Sequence, residues 1–252
     1  MQFIRMQCLG CLNSFRQPDF HTYHKTLPLP PKTTIAGLIG SALGLSPEDV
    51  NKDWLLTERF KVGIVGKDNG KANDLWQIRK YEEKQIKAYA KGTVQTPYKT
   101  AVIVRELLYS SVFFIYLYCD NEKDLNLIFE GLKKPKWALS LGREDEIIKI
   151  QSLKMIQSEE KEGLSYQNTI IPGDLASMKY SISLNSYQTS SNLLNEAPKV
   201  VKLPVSFTYD ESTQVREALK FEIFSFIFNI PITIDSEKGF FDNELEVAFK
   251  IF

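Results

Sequence analysis

The chain has 252 residues, 43% hydrophobic and 25% charged, enough for one large core or two small ones and too apolar for a disordered or collagen-like chain. Thirty-one basic residues balance 31 acidic ones, which excludes a globally basic protein that coats nucleic acid. Three cysteines exclude a disulfide framework and fit a reducing compartment.

Gln2–Leu9 reads as a first strand. After it comes an irregular stretch ending in Leu27-Pro28-Leu29-Pro30-Pro31, whose prolines forbid a helix interior or a central strand. Thr33–Leu45 predicts a helix capped by Thr33 or Thr34, with Ile35, Leu38, Ile39, Ala42 and Leu43 on its apolar face and Gly44 at its stop. Ser46-Pro47-Glu48-Asp49 starts a second helix.

Arg59–Val65 is strand-like, and Lys67-Asp68-Asn69-Gly70 is a turn that opens an insert. Val102–Val104 and Ser111–Cys119 read as strands, followed by a helix over Asn121–Leu132 capped by Asp120. Trp137–Leu141 and Glu146–Lys154 read as two more strands. The order β-α-β-(insert)-β-α-β is that of a ferredoxin-like (RRM-like) unit. Further on, Lys179–Leu184, Val200–Thr208, Phe221–Ile230, Ile232–Ile234 and Glu244–Phe252 alternate between turn residues. The expected fold class is therefore α+β: a ferredoxin-like N-terminal domain over residues 1–150 with a basic insert at about 66–100, then a β-rich region over 151–252.

Charge is unevenly spread. Residues 59–105 hold eleven Lys/Arg against four Asp/Glu, a net +7, while the first 58 residues balance and the remainder is acidic. Trp76, Tyr81, Tyr89 and Tyr98 sit among those cations. Lysines neutralise phosphates and aromatic faces stack unpaired bases, so this mixture suits single-stranded nucleic acid; a solvated loop with aromatics packed beneath it is the alternative.

Other motifs are less productive. Cys8-x-x-Cys11 and His21-x-x-His24 supply four metal-ligand types, but nine residues separate the pairs and two separate the histidines, which is not zinc-finger spacing. On a strand, Cys8 and Cys11 would also face opposite ways. No metal or cofactor is expected. Gly37, Gly40 and Gly44 lie within a helical pattern without a following G-K-[ST], so they indicate close packing rather than a phosphate loop. Phe113, Ile115 and Leu117 face opposite Phe114, Tyr116 and Tyr118, and a strand this apolar on both sides predicts cover on both. His21–Lys25 gathers imidazole, phenol and ammonium groups of the kind that cleave RNA without a metal, or that simply contact phosphate.

The runs Asn13-Ser14-Phe15-Arg16 and Tyr23-His24-Lys25-Thr26-Leu27-Pro28-Leu29-Pro30-Pro31-Lys32-Thr33-Thr34 through Leu45 resemble the N-terminal signature of the Cas five family of CRISPR-associated (RAMP) proteins. Arg105-Glu106-Leu107-Leu108 and the glycine-arginine loop Leu141-Gly142-Arg143-Glu144 add weaker support. The resemblance implies a ferredoxin-like domain with a protruding thumb, where the basic insert falls, and a subunit of a type I Cascade complex in antiviral defence, of type I-B. It implies binding of the 5′ handle of CRISPR RNA, partnership with the backbone and large Cascade subunits, and target DNA met only through the complex. The RNA-binding set expected is Arg16, Tyr23, His24, Lys25, Lys32, Arg79, Lys80, Lys84, Lys87, Arg105 and Arg143, with no catalytic role. The alternative is a metal-independent endoribonuclease that cuts CRISPR repeat RNA with Tyr23, His24 and Lys25. The N-terminal residues lack signal-peptide features, and runs such as Val112–Tyr118 are too short to span a bilayer, so a cytoplasmic protein without membrane association is expected.

Overall fold

The computed structural model describes residues 1–20, 23–55, 57–182, 196–210, 212, 215–235 and 237–252. Strand β1 (Gln2–Asn13) lies between β5 (Lys99–Tyr118) and β6 (Ile148–Gln157), antiparallel to both. Phe3, Ile4, Arg5 and Met6 are all buried, because both faces of this strand are covered. Between β1 and β5 the chain makes β2 (Tyr23–His24), α1 (Lys32–Leu43), α2 (Pro47–Asp49, continuing as a π-helix over Val50–Leu55), β3 (Lys61–Lys67), β4 (Lys71–Lys80) and α3 (Glu83–Ala90). Helix α4 (Glu122–Lys133) joins β5 to β6. The strand order β3-β5-β1-β6 is antiparallel throughout.

Helices α1 and α4 pack Ile35, Leu38, Ile39, Leu125 and Ile128 onto one face of this sheet, against Ile4, Met6, Phe113 and Ile115. Helix α1 begins one residue earlier than predicted. Extended Pro31 precedes it, and the Pro31 carbonyl accepts from the Thr34 and Ile35 amides, so neither threonine is its cap. Gly44 ends it in the left-handed region at φ 72°, as expected. Ser46 and Asp49 form the reciprocal capping box of α2 around Pro47. On α4 the cap is Asn121, accepting from the Lys123 amide, rather than Asp120.

The opposite face carries the second cover that the Phe113–Tyr118 pattern demanded. A short hairpin, β13 (Phe240–Asp242) and β14 (Val247–Phe249), packs Phe240 and Phe249 onto Phe3 and Tyr116. Tyr116 and Phe249 stack with centroids 3.7 Å apart and planes 5° from parallel. Phe113 and Tyr116 of β5 are therefore core, and Phe114 and Tyr118 are half-buried against the same cover.

The β-rich remainder comprises β7 (Ser165–Tyr166), β8 (Thr169–Pro172), β9 (Tyr180–Ile182), β10 (Lys199–Asp210), β11 (Val215–Ile227) and β12 (Ile232–Ile234). It divides between two sheets: β8 pairs with β3 and β11 with β8, so β10-β11-β8 prolong the N-terminal sheet, while β7, β12 and β9 form a small antiparallel sheet of their own. The division expected after residue 150 falls inside β6. Trp137–Leu141 is no strand; its one pairing is a bridge from Ser140 to Ile147. Residues 183 and 184 of the expected strand Lys179–Leu184 lie outside the described residues.

Candidate nucleic-acid interface

The insert is a projecting hairpin. Strand β4 pairs along the N-terminal half of β5 from Lys71↔Leu108 to Lys80↔Lys99, and α3 crowns the tip. Both strands expected around residues 102 and 111 belong to this single 20-residue β5. The Asp68-Asn69-Gly70 turn launches the hairpin, with Gly70 at φ 133° and its amide donating to Asp68 Oδ1 at 2.9 Å. Nothing on α3 is buried, and Leu75 and Trp76 on β4 are 69% and 40% exposed. Lys80 ends the strand, while Lys84 and Lys87 ride the helix. Arg79 lies 4.8 Å from the Tyr98 ring, and Tyr81 meets Tyr98 edge-on.

At the root of the hairpin the sheet gathers a second set. The β2 strand pairs parallel with β5, placing His24 beside Arg105, and β4 places Asp74 beside Arg105 from the other edge. Arg105 grips Asp74 Oδ2 through Nε at 3.0 Å and Nη2 at 2.6 Å. The Arg105 and Arg143 guanidiniums lie 5.0 and 5.1 Å from the Trp76 ring centroid, within cation–π range. Arg143 Nη2 is 2.9 Å from His24 Nδ1, so a neutral imidazole would accept there. Burial and the neighbouring Arg105 and Arg16 charges hold the Arg143 guanidinium below its ordinary range. Among the described residues no carboxylate lies within 4.0 Å of that guanidinium.

Strand alternation sends the neighbours of His24 elsewhere. The Tyr23 hydroxyl donates to Asn73 Oδ1 at 3.1 Å, and Lys25 stands 5.4 Å from the Phe20 ring. Lys25 and Lys71 are close enough to Lys199 that, after burial, they depress its ammonium. Tyr23, His24 and Lys25 thus do not converge on one point, and His21 lies outside the described residues.

Lys32 joins neither set. It is 9% exposed in a cavity of about 330 Å³ with Glu58, Ser206 and Glu222, and burial lowers its affinity for a proton. Cys8 is buried and Cys11 exposed, on opposite faces of β1 as alternation requires. Among the described residues no three His, Cys, Asp or Glu side chains group as a metal site.

Sequence reasoning missed Lys199, which reaches Gln17 Oε1 at 3.1 Å from β10. Nothing local marks it, since the contact spans 182 residues of chain. It also missed why two separated parts of the signature occur together. The Asn13 amide donates to the Leu141 carbonyl at 2.8 Å, and the Ser14 amide to Glu146 Oε2 at 2.7 Å. The glycine-arginine loop is fastened to the end of β1, so the signature is one structural unit.

A family model described as CRISPR-associated protein (Cas_Cas5) matches residues 3–209. The chain belongs to the Cas5 family. Its fold is similar to that of a chain in a "CRISPR RNA-guided surveillance complex", with TM-score 0.54 and 16% identity over 94% of this chain and 92% of that one. It is also similar to a "CRISPR protein from Archaeoglobus fulgidus", with TM-score 0.52 and 12% identity over 99% of each. At such identities these likenesses speak to the fold. No curated protein sequence matches the chain significantly. Among the described residues of this Cas5 protein, no helix is long and apolar enough to cross a membrane.

Proposed function

We propose that this Cas5 protein is a non-catalytic RNA-binding subunit of a CRISPR effector complex of the type I Cascade kind, of type I-B, built on a ferredoxin-like unit with a basic thumb. The strand order β3-β5-β1-β6, with α1 and α4 on one face, supports the ferredoxin-like reading. In the complex it holds the 5′ handle of the CRISPR RNA, caps the filament of backbone subunits and docks the large subunit, meeting target DNA only through the assembly, in the cytoplasm.

The observation that carries RNA binding is the placement of the basic insert, whose residues 66–100 hold eight Lys/Arg against four Asp/Glu. Its cations project on an exposed hairpin, and at its root Trp76 offers a partly exposed ring beside the Arg143 guanidinium. Together these are a phosphate-tracking arm and a stacking platform, the two parts that single-stranded RNA requires. The absence of catalysis is supported by β2: Tyr23 and His24 point to opposite faces, whereas metal-free RNA cleavage needs its acid and base on one scissile phosphate.

The test is an assay of the purified chain on end-labelled CRISPR repeat RNA in EDTA, resolved on denaturing and native gels. RNA that stays intact but shifts on the native gel is expected. A discrete cut abolished by His24→Ala overturns the non-catalytic reading, and no shift at all overturns RNA binding.

A further inference from the structure

We propose that Glu146 is a positioning residue for RNA recognition, locking the Gly142 loop so that the Arg143 guanidinium is delivered with its charge uncommitted. The inference rests on the RNA-binding reading above and deepens it.

Glu146 is 4% exposed, and among the described residues no cation lies within 4.0 Å of its carboxylate. A buried carboxylate without an ion partner is costly unless hydrogen bonds replace its water. Here they do: the Ser14 amide donates to Oε2 at 2.7 Å, the Ser14 hydroxyl to Oε1, and the Arg143 amide to Oε2 at 3.0 Å. The Glu146 amide donates back to the Arg143 carbonyl at 3.2 Å, closing a tight turn.

Gly142 completes the device. Its φ of 117° is a glycine conformation, and a Cβ there would run into the Glu146 carboxylate and come within 2.5 Å of the Ser14 carbonyl oxygen. The close approach that lets Glu146 reach Ser14 past the loop therefore depends on the missing side chain.

The acid is spent on the backbone of Arg143 and acts on the guanidinium only at a distance, without pairing with it. Had Glu146 paired with the guanidinium, it would have neutralised the charge it now aims. Arg105 shows that contrast, since Asp74 grips it at 2.6 Å. Arg143 instead rests on the His24 imidazole and the Trp76 ring, partners that orient a cation without cancelling it. A phosphate arriving beside Trp76 meets one guanidinium already fixed in direction, which spares the entropy of ordering that side chain.

The experiment measures affinity of the full chain for a short fluorescein-labelled single-stranded RNA by anisotropy across a KCl series. The variants are Glu146→Gln, Arg143→Ala, the double variant and a Lys84→Glu/Lys87→Glu thumb control. Glu146→Gln and Arg143→Ala are each expected to lose about tenfold, one charge-assisted contact, and to lower the salt slope by about 0.7. The double variant should lose no more than either single change. The emission of Trp76 should move alike in both, because the same guanidinium leaves the ring. Wild-type affinity and slope in Glu146→Gln, or losses that multiply in the double variant, would overturn the proposal. If only the thumb control loses RNA, this inference fails and the RNA-binding reading stands; if the unaltered chain binds no RNA, that reading itself fails. Should Glu146→Gln not fold, Ser14→Ala removes a donor, keeps the acid and is read by the same criteria.

Discussion

Arg5 and Asp242 meet at 2.9 Å in the interior, across 237 residues of chain, each almost wholly shielded from water. Asp242 also accepts from the Tyr116 hydroxyl at 3.0 Å, and Arg5 reaches on to Glu244 at 2.7 Å. This network fastens the β13–β14 hairpin over the central strands. Asp242→Ala would leave the buried Arg5 guanidinium with only the exposed Glu244 and strip the Tyr116 hydroxyl of its acceptor, and we expect a loss of about 3 kcal/mol in stability, read by urea unfolding. Arg5→Met with Asp242→Leu should recover part of it, because no charge is then buried without its partner, while the buried Tyr116 hydroxyl still lacks its acceptor.

Trp76→Ala is expected to cost about 1–3 kcal/mol of single-stranded RNA affinity, the worth of one stacked base, with no fall in Tm. Trp76→Phe should retain most of the binding. An unchanged affinity in Trp76→Ala would remove the ring from the interface.

Reversing Lys80, Lys84 and Lys87 to Glu should weaken RNA binding more than fivefold and lower the salt slope by about 2, as expected when roughly three phosphate contacts of ~0.7 each are lost. Stability should not change, because these side chains are exposed and α3 buries nothing. An unaltered slope would place the RNA elsewhere.

Thiol chemistry offers an independent check on the core. Burial pushes Cys8 and Cys119 up to about 12, whereas Cys11 is exposed. At pH 8 a maleimide should label only Cys11 until the protein is unfolded. The same shifts set an alkaline limit. Unfolded thiols ionise near 9 and the buried ones near 12, so the unfolded state loses protons first. Their stabilising contribution is complete below pH 9 and is lost as pH rises towards 12. Cys8→Ala with Cys119→Ala should flatten that decline in a denaturation series.

Much of this was legible in the sequence wherever neighbours in the chain are also neighbours in space. The helix over Ile35–Ala42, the Ser46–Asp49 cap, the Asp68–Gly70 turn and the double cover of Phe113–Tyr118 all follow from short-range pattern. The insert was legible as charge, but its form was not. Charge does not show that β5 begins at Lys99 and captures Lys80 in its ladder, which leaves the helix to Glu83–Ala90. The site split for the same kind of reason. Tyr23, His24 and Lys25 look like one cluster on paper, yet extended backbone turns consecutive side chains to opposite faces, and the partners waiting there come from β4, β10 and the Gly142 loop. Lys32, a signature residue, was drawn under the β10–β11 hairpin, a contact no local pattern signals.

Strand β5 runs unbroken from the hairpin tip at Lys99 to the middle of the core at Tyr118, and twenty residues in extended form measure about 65 Å. The thumb is thus a cantilever, not an appendage on a tether: a load applied near Lys99 enters the body along backbone already bonded to β1 and β3. Its natural fulcrum is Ser110, where φ reaches +49° at the point where β5 leaves the main sheet for the thumb ladder. A neighbour that leaned on the tip would press directly on the strand that carries Tyr116 and, through it, the latch at Asp242.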